Sequence, residues 1–430
     1  MLDITEREKI IALIHREVVP AMGCTEPMAV SLCVARATEA LGTRPESIEV
    51  LLSANILKNA MGVGIPGTGM VGLPIAIALG ALIGRSEYQL EVLRDVTPEA
   101  VAEGRTYLAE HSVNIALKQD CPDKLYVEAI VRAQGHTATA IIAHDHTHYI
   151  FIGKDDQVLF AEQTTTLHTE GNESHDEELT LRRVYDFATT TPLAELEFIK
   201  EARRLNEAAS REALRGNYGH SLGKTLSRPL GRGIMGDSIF SHILSATSSA
   251  CDARMAGAMI PVMSNSGSGN QGIAATMPVV VFAEENHNTD EELTRALILS
   301  HLTAIYIKQS LGKLSALCGC VVASTGSACG ITYLMGGNYD QVAFSVKNMI
   351  ANLAGMVCDG AKPSCALKVS SGVSTAVLSA MLAIQNRYVT NVEGLIEDDV
   401  DRCIHNLTRI GADGMNETDR MVLDIMTHKH

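Results

Sequence analysis

Three cysteines offer the most direct chemistry in the sequence. Cys318, Cys358 and Cys365 lie in two Gly- and Ser-rich apolar tracts, LSALCGCVVASTGSACGITYLMGG and NMIANLAGMVCDGAKPSCALKVSSG, where helix packing would ask for Leu or Ile. Their spacing is neither the C-x-x-C pairing of a structural zinc site nor the tight cysteine run of a ferredoxin, so spacing alone supports only a thiolate-bound metal. Two features point further. Cys358 and Cys365 bracket the loop DGAKPS, which can turn both thiolates toward one point, and the tract around Cys318 is apolar and Gly-rich enough to pack beside it. Three ligands in place of four would leave one iron of a [4Fe-4S] cluster open to a substrate. The competing reading for any one thiol is plain packing, because free cysteine behaves as a small hydrophobe.

Cys24 is a second candidate. In VVPAMGCTEPMAVSLCVARATEALG, Thr25 or Glu26 can cap a helix, Pro27 suits its first turn and Gly42 marks its stop. Cys24 then stands at or just before a helix N-terminus, where unpaired N–H groups favour the thiolate. Cys33 shares a helical face with Val30 and Ala37 and reads as core. The loop SNSGSGNQG, residues 264–272, lies between two apolar runs with Asp252 and Arg254 just before it. It presents N–H, hydroxyl and amide donors with little steric cover, which suits a carboxylate or another small anion, although a flexible linker would have a similar composition.

Other patterns carry less. Two overlapping G-x-G-x-x-G matches, Gly62/Gly64/Gly67 and Gly67/Gly69/Gly72, invite a dinucleotide reading, but Pro66 lies inside the turn and no βαβ repeat with a well-placed acidic residue follows. A glycine-lined substrate loop or close helix packing is the better expectation. His144, His146 and His148 alternate on what reads as one strand face; the spacing could hold a metal, yet no carboxylate or cysteine cluster accompanies it, and an exposed polar face is favoured. GHSLGKT, residues 219–225, is one residue short of a P-loop, and Lys224 alone does not make a pyridoxal phosphate anchor.

The elements that must position these residues follow from composition and periodicity. A chain of 430 residues, 46% hydrophobic and 20% charged, can bury a large core in two or three domains. With 35 basic against 50 acidic side chains its formal net charge is -15, which repels phosphate backbones and anionic membranes, so neither nucleic acid nor membrane is an expected partner. MLDITEREKIIALIHREVV reads as an amphipathic first helix rather than a signal peptide, and the expected location is the cytoplasm. Ten cysteines in so large a chain are not a secreted disulfide framework. IEVLLS reads as a strand. From about residue 111 the runs SVNIALK, KLYVEAIVRA, HTATAIIAHDHTHYIFIG and QVLFAEQ predict a small antiparallel β-rich domain with Leu125, Val127, Ala129 and Val131 on one face. Residues 162–178 read as a polar linker, and from 191 onward the pattern is helical, with a capping box at Thr289 and Glu292 and a core thiol at Cys403 beside Val400 and Leu407.

The candidate residues sit in longer motifs: PAMGCTEP around Cys24, PGTGMVGLP from Pro66, CDARMAG from Cys251, MSNSGSGNQGI from Met263, LSALC at Cys318 and MVCDGAKPSC ending at Cys365. Over nearly its whole length the chain resembles the PLP-independent iron-sulfur L-cysteine desulfidases, relatives of the alpha chain of iron-sulfur L-serine dehydratases. The resemblance implies that Cys318, Cys358 and Cys365 hold a [4Fe-4S] cluster, that Cys24 is the general base, and that neither PLP nor NAD takes part. Cys320 and Cys329 have no assigned role. The implied reaction is β-elimination of L-cysteine to sulfide, pyruvate and ammonia, with L-serine dehydration as the alternative and a cluster-free binding protein as a reading of another class. Asn59, Gly67, Thr68, Gly69, Asp252, Arg254, Asn265, Ser266, Gly267, Ser268, Asn270 and Gln271 are the expected grip on the amino acid. The expected fold is α+β: residues 1–104 as the N-terminal part of a mainly helical catalytic domain, 105–190 as an inserted β-rich domain with its linker, and 191–430 as the helical domain with the cluster cysteines. Homo-oligomer formation is left open. Cys24 must converge in space with the three distant thiols.

Overall fold

The computed structural model describes residues 2–162, 179–312 and 315–428, so nearly all of the expected linker lies outside the described residues. The first helix, α1 (Ile4–Glu17), is closed by a capping box between Asp3 and Glu6 and buries Ile10, Leu13 and Ile14. Next, α2 (Thr25–Leu41) has Cys24 as its N-cap residue and stops at Gly42, whose φ of 81° is the left-handed conformation glycine adopts freely. Between α2 and the sheet lie β1 (Ser47–Leu52), the short α3 (Ala54–Ala60), α4 (Leu73–Leu82) and α5 (Pro98–Glu110). Four hairpin-connected strands and one partner follow: β2 (Ser112–Leu117), β3 (Tyr126–Ala133), β4 (His136–Ala143), β5 (Tyr149–Lys154) and β6 (Gln157–Ala161).

These strands form one six-stranded sheet in the order β2-β1-β3-β4-β5-β6. β1 pairs parallel with β2, and every other pair is antiparallel. The sheet is therefore mixed and starts at Ser47, not purely antiparallel and confined to the later segment. The reason is the crossover: α3, α4 and α5 carry the chain back so that β2 enters beside β1 in the same direction, as parallel neighbours require. Leu125, Val127, Ala129 and Val131 are buried, as their alternation predicts, against α2. Cys33 is part of that packing, its Sγ donating to the Ala140 carbonyl at 3.2 Å.

The remaining body is helical. Its main elements are α6 (Ile239–Met255), α7 (Gly269–Glu285), α8 (Asp290–Leu311), α9 (Gly319–Leu334), α10 (Tyr339–Leu353) and α11 (Cys365–Ile384). The predicted capping box of Thr289 and Glu292 opens α8, and Cys403 is buried with Val400 and Leu407. Nearly every residue of α9 is buried, because α7, α8, α10 and α11 surround it. One helix among the described residues, α11, is long and apolar enough to cross a membrane, and 50% of its most apolar window is buried within the protein. Two large apolar cores result, with two small clusters beside them. The larger joins α1 to the helices after residue 179, and the smaller joins α2, α4 and α5 to the sheet, so these three helices pack with the sheet rather than with the helical body.

Candidate active site

A cavity of about 550 Å³ lies where the two cores meet, and it gathers Cys24, Cys318, Cys358 and Cys365 on its walls. Local backbone pairing explains how the thiols arrive. Leu317 and Val357 form an antiparallel bridge, with the Cys318 N–H donating to the Met356 carbonyl at 2.9 Å and the Cys358 N–H to the Ala316 carbonyl at 2.7 Å. The bridge sets the Cys318 and Cys358 side chains against each other, hydrogen-bonded. Cys365 opens α11, its N–H donating to the Lys362 carbonyl at 2.8 Å. The intervening loop turns at Gly360, with φ of 87°, so close to α3 that a Cβ there would lie 2.1 Å from the Lys58 carbonyl.

Among the described residues no three His, Cys, Asp or Glu side chains are grouped so as to hold a metal ion. The thiols thus line one wall without meeting at the single point that the DGAKPS loop led us to expect. Cys318, Cys358 and Cys365 nonetheless line one cavity and would be the residues to hold a cluster, and the surrounding charge suits bound thiolates. Lys308 is 8% exposed, and burial depresses its ammonium to about 8 while the Cys358 and Cys318 thiols pull the other way. Lys368 donates to the Val357 carbonyl at 2.7 Å and pairs with Asp359. Burial opposes ionisation of Asp359, yet hydrogen bonds from Lys362 and Lys368 hold it at about 2. Without a bound cation the thiols stay protonated: Cys318 is pushed up by its hydrogen bond with Cys320, Cys358 by its hydrogen bond with Cys318 and by burial, and Cys365 by burial.

Cys24 is 1% exposed. Burial pushes its thiol up to about 12 and so overrides the preference expected at a helix N-terminus, while the charge and hydrogen bond of Arg254 pull it back down. Arg254 lies across the glycine-rich loop, where a Cβ on Gly269 would come within 2.2 Å of its Nε. That Nε is buried without a hydrogen-bond partner, as is Gln271 Oε1. Ser266, Gly267, Ser268, Asn270 and Gln271 line the cavity with Arg254 and Asn59. Ser268 caps α7, accepting the Gln271 N–H, and Asn59 donates to Glu26 at 3.2 Å.

Five of the residues expected to hold substrate lie elsewhere. Asn265 does not line the cavity; its amide donates to the carbonyl and the ring Nδ1 of His301, both at 3.1 Å, and so ties the loop to α8. Asp252 is 1% exposed and accepts the Gly223 N–H at 3.2 Å, and burial raises its carboxyl to about 6. Gly67, Thr68 and Gly69 form the tight turn of a small hairpin between Gly64–Ile65 and Met70–Val71, where the Thr68 hydroxyl donates to the Ile65 carbonyl at 2.8 Å and accepts the Met70 N–H at 3.0 Å. This turn packs on Gly257, Val96 and Met259. Cys320 does line the cavity, donating to the Lys368 carbonyl at 3.4 Å, whereas Cys329 is core within α9.

The cavity also holds Glu26, Lys308, Lys368 and His146, none of them among the residues expected to grip the amino acid. Lys308 had a signal, a lone cation inside the apolar run LTAIYIKQSL. His146 was obscured by its neighbours. Residues 144–148 are not a strand face but the connection between β4 and β5, with His144 in the left-handed region at φ of 68°.

The sequence matches known proteins along most of its length. The serine dehydratase alpha chain family matches residues 87–424, which takes in Cys318, Cys358 and Cys365 and leaves Cys24 outside. A UPF0597 protein of Bacteroides thetaiotaomicron is 69% identical over 425 residues, covering 99% of each chain. Another from Porphyromonas gingivalis is 54% identical over 432 residues and 100% of each, and one from Aeromonas hydrophila is 45% identical over 420 residues, 97% of this chain and 96% of its own.

Proposed function

The chain belongs to the serine dehydratase alpha chain family, a family of lyases, and from that premise we propose that it eliminates the β-substituent of a small L-amino acid, with L-cysteine as the substrate. One observation carries the reading: Cys24 and Arg254 share a cavity with Lys308 and with Cys318, Cys358 and Cys365, thiols nearly 300 residues or more from Cys24 in sequence. Cys318, Cys358 and Cys365 would hold a [4Fe-4S] cluster, which when bound supplies Lewis acidity to the departing group. The rest falls to the protein's own side chains. Arg254, with an unpaired Nε, takes the substrate carboxylate together with Ser268, Asn270 and Gln271. Cys24 Sγ takes the α-proton, and Arg254 beside it offsets part of the cost of a buried thiolate. Sulfide leaves from the β-carbon, and the released aminoacrylate tautomerises and hydrolyses to pyruvate and ammonia.

L-Serine is the second reading, favoured by the description of the matched family, with hydroxide as the leaving group. Anaerobically reconstituted protein should release sulfide and pyruvate in equal amounts from L-cysteine, with a larger kcat/KM than for pyruvate from L-serine. The reverse order would make serine the substrate, and no product from either would end the lyase reading. The ten unpaired cysteines suit a reducing compartment, and we place the enzyme in the cytoplasm.

A further inference from the structure

The three histidines of the turn between β4 and β5 are not equivalent. His144 Nδ1 pairs with Asp123, whose carboxylate also accepts the Leu125 N–H at 3.0 Å. His148 Nε2 lies 3.4 Å from Glu162. The turn is closed by the Ala143 N–H donating to the His148 carbonyl at 3.0 Å and by the His144 N–H donating to the Leu125 carbonyl at 3.3 Å. Its two outer histidines are thus pinned by carboxylates. The middle one, His146, lines the cavity instead, and its Nε2 is buried with no hydrogen-bond partner among the described residues. A buried ring nitrogen left unsatisfied is costly unless something that enters the cavity completes it.

The charge around the cavity says what that something carries. Arg254, Lys308 and Lys368 all act on the thiols: Arg254 on Cys24, Lys308 and Lys368 on Cys318 and Cys358. The substrate carboxylate and leaving group belong on that side. The lining supplied by the sheet layer and its flanking turns includes Glu26, Leu90, Glu91, Leu125, Asp145 and His146 and, among the described residues, no Lys or Arg; Arg16 reaches the cavity from α1. We propose that His146 recognises the substrate's α-ammonium group, Nε2 accepting a hydrogen bond from it, and that the sheet layer thereby selects amino acids over simple acids of the same shape. This inference rests on the amino-acid reading of the cavity.

The test compares a substrate with its amine-free analogue, L-cysteine against 3-mercaptopropanoate and L-serine against 3-hydroxypropanoate, by calorimetric binding and by turnover on the cluster-loaded protein. In His146→Ala, affinity and kcat/KM for the amino acid should fall about 10- to 100-fold, the worth of a hydrogen bond to a charged group, with analogue binding unchanged within about twofold. His146→Gln, whose amide oxygen can accept the same bond, should recover most of the loss. Equal weakening of amino acid and analogue would reveal a merely structural role and overturn the proposal, as would no change in either. Wild-type protein that binds the amino acid in this His146-dependent way without turning it over would sink the lyase reading alone. Wild-type protein that binds neither amino acid would sink the proposal.

Discussion

α9 is buried along nearly its whole length and β4 mainly on one face, and they serve the cavity in different ways. α9 begins directly after its N-cap residue Cys318, so this cavity-lining thiol is continuous with a helix buried along nearly its whole length. β4 buries one face, with Ala138, Ala140 and Ile142, and the cavity residues come only from the turn that follows it. In the helical body, chemistry is built into the core, and a change there should disturb stability and site together. In the sheet layer the core is a support and function sits at one loop end, as surface loops on a rigid frame allow. Core changes far from that loop should cost stability alone.

The largest effects should fall on the thiols. Cys358→Ala should abolish cluster uptake and lower turnover by more than about 10³-fold, while Cys24→Ala should keep iron and acid-labile sulfide and lose turnover by about 10²- to 10⁴-fold, the usual range for a general base. Iron analysis and the broad blue-end absorption of anaerobically reconstituted protein separate the two. An active, iron-free protein would contradict both. Gly326→Ala comes next. Its Cβ would lie 2.2 Å from the Ser300 carbonyl, so α8 and α9 would have to part, at a cost of about 3 kcal/mol or more. A denaturant midpoint within error of wild type would show that the helices are not in rigid contact and would break the comparison on the helical side.

Residues differ in how far their surroundings can be read locally. The alternation of Leu125 to Val131 and the Gly42 stop each depend on a few neighbouring residues, and both were legible. The parallel pairing of β1 with β2 was not, since it depends on a crossover of some sixty residues whose return direction leaves no local mark. His144, His146 and His148 alternate as a strand would, but a left-handed His144 and two carboxylates distant in sequence convert the run into a turn. The cysteine motifs stood out because thiols are unusual in apolar tracts, and the fold brings Cys24, Cys318, Cys358 and Cys365 to one cavity. PGTGMVG misled for the opposite reason: glycine that permits a tight hairpin and glycine that lets a ligand approach look the same in sequence.

His301 joins the two regions' logic, being core by position and supportive of the site through Asn265. Burial pulls its imidazole from 6.5 to about 3, so the folded state keeps it neutral, bonded to Asn265 and to the Thr276 hydroxyl at 2.9 Å. Between those values the unfolded chain binds more protons, and stability from this group is present above pH 6.5 and lost as pH falls toward 3. Asp252, raised from 3.8 to about 6, acts in the opposite direction within its own window and masks part of the slope. The measurable quantity is therefore a difference. His301→Asn should be less stable than wild type at neutral pH, and the gap should narrow by about 1.4 kcal/mol per pH unit below 6.5. Parallel pH profiles for the two proteins would mean that His301 is not held neutral.

The smallest effect tests the sheet side most sharply. Gln134 and Gly135 both have positive φ, 53° and 81°, the pairing of a two-residue hairpin turn between β3 and β4. A Cβ on Gly135 would meet nothing within 4 Å, so Gly135→Ala costs only the backbone strain of alanine in the left-handed region, about 1 kcal/mol. This turn and the 144–148 turn stand at opposite ends of β4, which at 8 residues and 3.4 Å per residue is about 27 Å long. Strain at one end has no steric route to His146 at the other unless the whole strand shifts register, and the unbroken β3–β4 register from Tyr126 to Ala133 resists that. Stability should therefore drop with kcat/KM unchanged within about twofold. A matching loss of kcat/KM would show that the sheet transmits strain along its length, and the contrast with the helical body would no longer hold.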